Sequence, residues 1–272
     1  MRKQLAALAV LALVLLAAVA YAARLFPEPD APPWLTARKI AHRGLWTAGP
    51  LAPENSLAAF ERAADAGHAI ELDVRSSVDG VTVVFHDEDT SRLTGEPVPV
   101  DALTVSELQQ LSLFGGDERM PTLAEALELI DGRVPVFVEI KNPGDVGALE
   151  DDVAEQLSAY EGEAAVMSFN PFSLARMAEV APEVPRGQLA SAFEGEDLAW
   201  YEKLLLRKLL LNFTSTPDFI AYDIEELPSP FTTVQRWRGR PLLGWTITDA
   251  DELARAEAYA DGFICDPGAL EQ

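Results

Sequence analysis

One cysteine, three histidines and a shortage of positive charge set the first limits on this 272-residue chain. With Cys265 alone, neither an intrachain disulfide nor a thiolate metal cage can be built, and buried filler is the role expected of that thiol. The 21 Lys and Arg stand against 44 Asp and Glu, a net charge of −23. That argues against a nucleic-acid partner, because phosphate backbones need a basic surface. It is compatible with a self-repelling, soluble exterior and with cation binding. No G-x-G-x-x-G follows the first strand-like run, so a dinucleotide-binding open sheet lacks its usual support. No internal repeat or low-complexity tract is evident past the N-terminal segment.

Long apolar runs are scarce as well, with one exception. Two positive charges in "MRKQ" precede small apolar residues from Leu5 to Ala23. A spanning helix needs roughly 20 such residues, and a secretory signal about 7–15. Ala20-Tyr21-Ala22 nonetheless offers a small-residue cleavage site. Residues 1–24 therefore read as a membrane anchor or a signal peptide, with length favouring the anchor. The positive flank places the rest of the chain outside the cytoplasm, at the cell membrane or, after cleavage, secreted or periplasmic. Residues 25–36, with "FPEPDAPPW", read as an extended Pro-rich spacer. Residues 37–272 read as one domain, and 49% hydrophobic content is enough to fill its core.

From Ile40 onward, short apolar strands alternate with helical stretches. The strand candidates are "KIAH", "AIELDV", "VPVFVEI", "AAVMSF", "PRGQLA", "FIAYDI", "LLGWTI" and "DGFICD". Helix signals lie between them. Asn55-Ser56 opens a helix that stops at Gly67, Thr122 and Glu125 form a capping box, and Asn170-Pro171 pairs an N-cap with Pro at the first helical position. A ninth run, "VTVVFHD", follows "AIELDV" after only six residues, too few for a parallel crossover. It should return as an antiparallel hairpin arm. Eight strands, each followed by a helix-sized segment, predict a (β/α)₈ TIM barrel with a small hairpin and insertion after the second strand.

Side chains alternate across a strand, so Glu71 and Asp73 share one face, and Glu139 and Lys141 share another strand's inward face. Both acidic positions fall near C-terminal strand ends, where such barrels carry their sites. Three converging carboxylates repel one another unless a hard divalent cation joins them, and oxygen-only ligation suggests Mg²⁺ or Ca²⁺. His42 ends the first strand and His86 ends the hairpin arm, which folds it back toward Glu71. Two imidazoles can supply a general base and a general acid. Arg43 and Lys141 add cations for an anionic substrate. Metal, histidines and cations together suggest phosphoryl chemistry.

The segments "AHRG", "PENSLAAF", "ELDVRSSVDGVTVVFHD", "VEIK" and "GWT", with "DGFICDP" near the end, resemble the signature segments of glycerophosphodiester phosphodiesterases. The resemblance runs from about Ile40 to Pro267. It implies Glu71, Asp73 and Glu139 as metal ligands and His42 and His86 as the acid–base pair. It also implies Arg43 and Lys141 on the substrate phosphate, with Glu54 and Asn55 supporting the substrate site. The implied reaction begins with a glycerol hydroxyl attacking phosphorus. Water then opens the cyclic phosphate to leave glycerol 3-phosphate and an alcohol.

Two departures, Ser77 for the usual Thr and Thr248 for the usual Asn, bear on substrate fit. Glu88 to Met120 is short for that family's insertion and predicts a small cap. Trp245, at a strand end, reads as core or as a wall of the substrate pocket. The alternatives are a lysophospholipase D or phospholipase-like activity on the same barrel, a glycoside hydrolase, and a non-catalytic binding module. A glycoside hydrolase leaves Arg43, Lys141 and the histidines without a purpose. The stretch "AWYEKLLLRKLLL" (199–211) reads as an outer barrel helix with a basic edge, or as an interfacial helix reaching lipid.

Overall fold

The computed structural model describes Leu13 and residues 28–142 and 145–270. Apart from Leu13, the apolar segment 1–24 lies outside the described residues. Among the described residues, no helix is long and apolar enough to cross a membrane.

The chain runs β1 (Ile40–Ala41), α1 (Leu57–Asp65), β2 (Ala69–Ser76) and β3 (Thr82–Val84). An insertion then carries α2 (Ser91–Thr94) and α3 (Val105–Leu108) before α4 (Leu123–Ile130) and β4 (Val136–Ile140). Next come α5 (Ala148–Ala159), β5 (Ala164–Ser168), α6 (Pro171–Val180), β6 (Arg186–Ala190), α7 (Trp200–Arg207) and α8 (Asn212–Ser215). The chain closes with β7 (Phe219–Asp223), α9 (Pro230–Trp237), β8 (Leu242–Ile247), α10 (Ala250–Tyr259), β9 (Gly262–Cys265) and α11 (Pro267–Leu270).

Every strand except β3 pairs in parallel with its neighbours, and β1 joins both β2 and β9. The sheet therefore closes into the eight-stranded (β/α)₈ barrel expected from the sequence. β3 pairs antiparallel with β2, Val74 opposite Val84, as the short connection required. Helix starts follow the local chemistry. The Ser56 side chain accepts from the Ala59 N–H, Thr122 and Glu125 cap each other reciprocally, and Asn170 accepts from the Phe172 N–H.

Alternation divides the apolar residues into two layers. Ile70, Leu72, Val74, Val136, Val138 and Ile140 face outward and pack beneath the helices with Phe60, Leu123 and Val153. Ile40, Phe137, Met167, Leu189, Phe219 and Ile264 face inward and fill the barrel. Phe219 fits there because position 187 is glycine: a Cβ would lie 2.2 Å from its ring. The barrel is thus a packed plug with the polar residues left at one end.

Of the spacer expected over 25–36, residues 25–27 lie outside the described residues, and 33–36 meet the far end of the barrel. Pro33–Thr36 forms a 3₁₀ turn that buries Leu35, and Trp34 packs edge-on against Phe137 with centroids 5.7 Å apart. Proline richness here pre-sets a turn that seals the barrel floor. The insertion is small, as expected, yet has its own core of Val83, Phe85, Leu93, Val100, Leu108, Leu113 and Met120. The helix expected over 199–211 stops at Arg207, and Leu209 then adopts a left-handed backbone. No residue of α7 is buried, so it lies on the barrel more loosely than the expected outer helix.

Candidate active site

The parallel register of β2 and β4 sets Asp73 beside Glu139, with Glu71 two residues earlier on the same face. All three carboxylates are buried, and one oxygen from each lies within 4.8 Å of the other two. Burial, Asp73 and Glu139 push Glu71 well above the usual carboxylate range, with Arg43 opposing. Glu139 is also raised, by burial and Asp73, although Lys141 pulls the other way. Asp73 goes down: against its burial, the cations of Lys141 and Arg43 hold it well below its ordinary value. One group of the trio keeps its negative charge while the others resist taking theirs.

Two cations partly compensate. Lys141 Nζ stands 2.6 Å from Glu139 Oε1 and 3.2 Å from Asp73 Oδ1. Arg43 Nε lies 3.3 Å from Asp73 Oδ2, and its backbone N–H donates to Glu71 Oε2 at 2.9 Å. Arg43 reaches both because its backbone is left-handed (φ 57°), followed by Gly44 at φ 81°. A Cβ at Gly44 would sit 2.9 Å from the Ala59 backbone, so the turn requires glycine.

Asn55, likewise left-handed (φ 56°), donates its amide to Asp73 Oδ2 at 2.8 Å and is buried. Glu54 accepts from Arg43 Nη1 at 2.8 Å. Both brace the charged cluster from the start of α1 and do not line the cleft.

Each histidine is held by a carboxylate. His42 Nδ1 lies 2.7 Å from Asp266 Oδ1, and His86 Nδ1 lies 2.7 Å from Asp87 Oδ1. With Nδ1 engaged, Nε2 is the ring atom left for chemistry. Burial above all, reinforced by Lys141 and Arg43 against the pull of Asp73, lowers His86 to about 4. His86 is therefore neutral at ordinary pH.

Arg92, on α2 of the insertion, ties these pieces together. It donates to Asp87 Oδ2 at 2.6 Å and to both oxygens of Glu54 at 2.7 Å. A continuous path of charged hydrogen bonds thus runs from His86 through Asp87, Arg92 and Glu54 to Arg43.

A cleft of about 90 Å³ lies over the cluster, lined by His42, Arg43, Glu71, His86, Glu139, Lys141 and Trp245 among others. Asp73, fully buried, is not among its lining residues. Ser77 and Thr248 stay away from it: Ser77 closes the hairpin turn on Asp79 and Val81, and Thr248 donates to Glu252. Asp87, Asp266 and Arg92 have roles that sequence reasoning missed. Asp87 was signalled by adjacency to His86 and Asp266 by its place just past the closing strand. Nothing in the spacing marks Arg92.

The donor set fits a hard divalent ion, since three carboxylate oxygens converge and Asp73 Oδ1 is buried without accepting a hydrogen bond. The arrangement unites two carboxylate-held histidines, a cluster of three buried carboxylates and two positive side chains at the mouth of a barrel. The family model for the glycerophosphoryl diester phosphodiesterase family matches residues 42–267. The chain belongs to that family.

A glycerophosphodiester phosphodiesterase from Caldanaerobacter subterraneus subsp. tengcongensis is 33% identical, over 84% of this chain and 93% of its own length. Among solved structures, an Oleispira antarctica phosphodiesterase in complex with the product sn-glycerol-3-phosphate superposes with a TM-score of 0.70. It is 27% identical and covers 87% of this chain and 96% of that one. The Thermotoga maritima glycerophosphodiester phosphodiesterase, also 27% identical, gives a TM-score of 0.66 over 85% of this chain and 95% of its own. The enzyme class read from the sequence, a phosphoric diester hydrolase of this family, follows from that membership.

Proposed function

We propose that this enzyme cleaves glycerophosphodiesters to glycerol 3-phosphate and an alcohol, with a divalent cation held by Glu71, Asp73 and Glu139. The observation that carries the reading is the pairing of two carboxylate-held histidines with that buried carboxylate trio on one rim. The product complex of the Oleispira antarctica relative supports the glycerophosphate part.

Arg43 and Lys141 hold the phosphate oxygens and answer the charge that builds on them. His86, neutral and oriented by Asp87, takes the proton of the glycerol hydroxyl next to the phosphate ester through Nε2. The freed oxygen attacks phosphorus, and the bond to the alcohol breaks. His42, oriented by Asp266, gives its proton to the departing oxygen. Water then adds to the cyclic phosphate with the proton roles reversed, leaving glycerol 3-phosphate. A bound Mg²⁺ or Ca²⁺ would supply Lewis-acid stabilisation of the phosphoryl charge.

The test is glycerol 3-phosphate release from defined diesters, with and without chelator, in wild type and Glu71→Gln. Loss on both chelation and substitution is expected. Full activity in chelator would remove the metal from the account.

We further place the enzyme at the outer side of the cytoplasmic membrane, on the strength of the charge and apolar pattern of residues 1–24. Exposed Trp200, Tyr201 and Leu204 beside Lys203 on α7 support lipid contact at that surface. Arg207 already pairs with Glu226, and Lys208 sits over the Phe231 ring at 5.3 Å. Reversing Lys203 and Arg207 to Glu should weaken liposome binding, and unchanged binding would dispose of the contact.

A further inference from the structure

Beside the small catalytic cleft lies a second, larger cavity of about 830 Å³, bounded by the ends of β5, β6 and β7 and by α7. The two share Phe169 and Trp245 as a common wall. Those rings meet edge to face with centroids 5.5 Å apart, and Phe169 meets Phe193 the same way at 5.7 Å. An aromatic file of Trp245, Phe169 and Phe193 thus leads out of the catalytic mouth into the cavity, which Phe172 also lines.

The charge of this cavity has one sign. Seven of its lining residues are Asp or Glu, and none is Lys, Arg or His. Three of the seven have structural duties. Glu202 caps α7, Asp223 caps the turn after β7, and Glu226 pairs with Arg207. The carboxylates of Glu194, Glu196, Asp197 and Glu225 have no hydrogen-bond or ion-pair partner among the described residues. At the catalytic cluster, by contrast, each buried carboxylate is answered by Arg43 or Lys141.

We infer that this cavity is the subsite for the leaving alcohol and that it selects alcohols carrying an ammonium or quaternary ammonium group. The inference rests on the phosphodiesterase reading above and deepens it. A phosphate seated between Arg43 and Lys141 would lie in the cleft whose wall of Trp245 and Phe169 is shared with this cavity, so its second ester has this space to enter. Aromatic faces attract a cation, and unpaired carboxylates attract it from further away. A neutral polyol gains from neither. A fatty chain gains from the rings but must dehydrate the carboxylates, which is unfavourable.

The experiment measures glycerol 3-phosphate release from glycerophosphocholine, glycerophosphoethanolamine and glycerophosphoglycerol. It compares wild type with the triple variant Glu196→Gln/Asp197→Asn/Glu225→Gln. The readout is the ratio of kcat/KM for the cationic diesters to that for the neutral one, which does not depend on the fraction of correctly folded enzyme. Wild type should favour the cationic diesters about tenfold, and added salt should erode the preference. The variant should lose most of it, at about twofold per exposed charge removed.

A wild-type ratio near one, or a ratio unmoved in the variant, would overturn the inference while leaving the phosphodiesterase reading intact. Faster choline release from lysophosphatidylcholine than from glycerophosphocholine, measured alongside, would also overturn it, assigning the cavity to an acyl chain. Absence of glycerol 3-phosphate from every diester would bring down the reading and the inference together.

Discussion

Asp266 holds His42: the carboxylate Oδ1 lies 2.7 Å from the ring Nδ1, joining the residue after the closing strand to the end of the first. That bond sets the tautomer that leaves Nε2 facing the cleft. Asp266→Asn should therefore cut kcat by about 10- to 100-fold with little change in KM. His42→Ala should cost more, about 10²–10⁴-fold, if it serves as the general acid proposed above. Steady-state kinetics on glycerophosphocholine checks both, and an Asp266→Asn enzyme as fast as wild type would free His42 from its partner.

Arg92 reaches Glu54 and Asp87 with a planar fork, and a lysine ammonium cannot reproduce that geometry. Both Arg92→Met and Arg92→Lys should lower kcat about tenfold. Thermal unfolding should show a loss of about 1–3 kcal/mol, since the half-buried Glu54 loses two of its donors. A lysine variant equal to wild type would show that charge alone suffices.

The eight-strand barrel and its acidic rim were legible in the sequence because both follow from a period of two. Glu71, Asp73, Glu139 and Lys141 alternate with Ile, Leu and Val, and alternation places them without knowledge of the rest of the fold. Asp266 and Arg92 were not legible as site residues. Their partners are 224 and 38 residues away, and no local pattern encodes a contact across a closed barrel. The packing of residues 33–36 on the barrel was not legible for a related reason. Composition predicts an extended chain there, but the barrel floor supplies a hydrophobic hole that only the folded domain creates.

That hole makes Leu35 a stability determinant. It is 1% exposed and packs in the barrel interior beside Phe137 and Ile264. Leu35→Ala should cost about 2–5 kcal/mol, as large-to-small changes in packed cores do. Chemical denaturation of the variant measures it, and a loss under ~0.5 kcal/mol would return residues 33–36 to the status of a spacer.

His86 gives the protein a pH dependence of known sign. Its ordinary value of 6.5 falls to about 4 in the fold. Above about 6.5 the ring is neutral whether folded or not. Between 6.5 and 4 the unfolded chain takes up a proton that the folded one refuses, so stability falls as pH falls through that window. His86→Gln removes this contribution. Denaturation midpoints at pH 7 and pH 5 should separate less in the variant than in wild type, and an equal separation would contradict the shift.

Glu71, Asp73 and Glu139 are proposed to share one divalent ion. Calorimetric titration of Mg²⁺ and Ca²⁺ into chelator-treated protein, wild type beside Glu139→Gln, tests it without reference to turnover. One site per chain in wild type, weakened at least tenfold in the variant, is the predicted result. Heats that are absent in wild type, or unchanged in the variant, would contradict it.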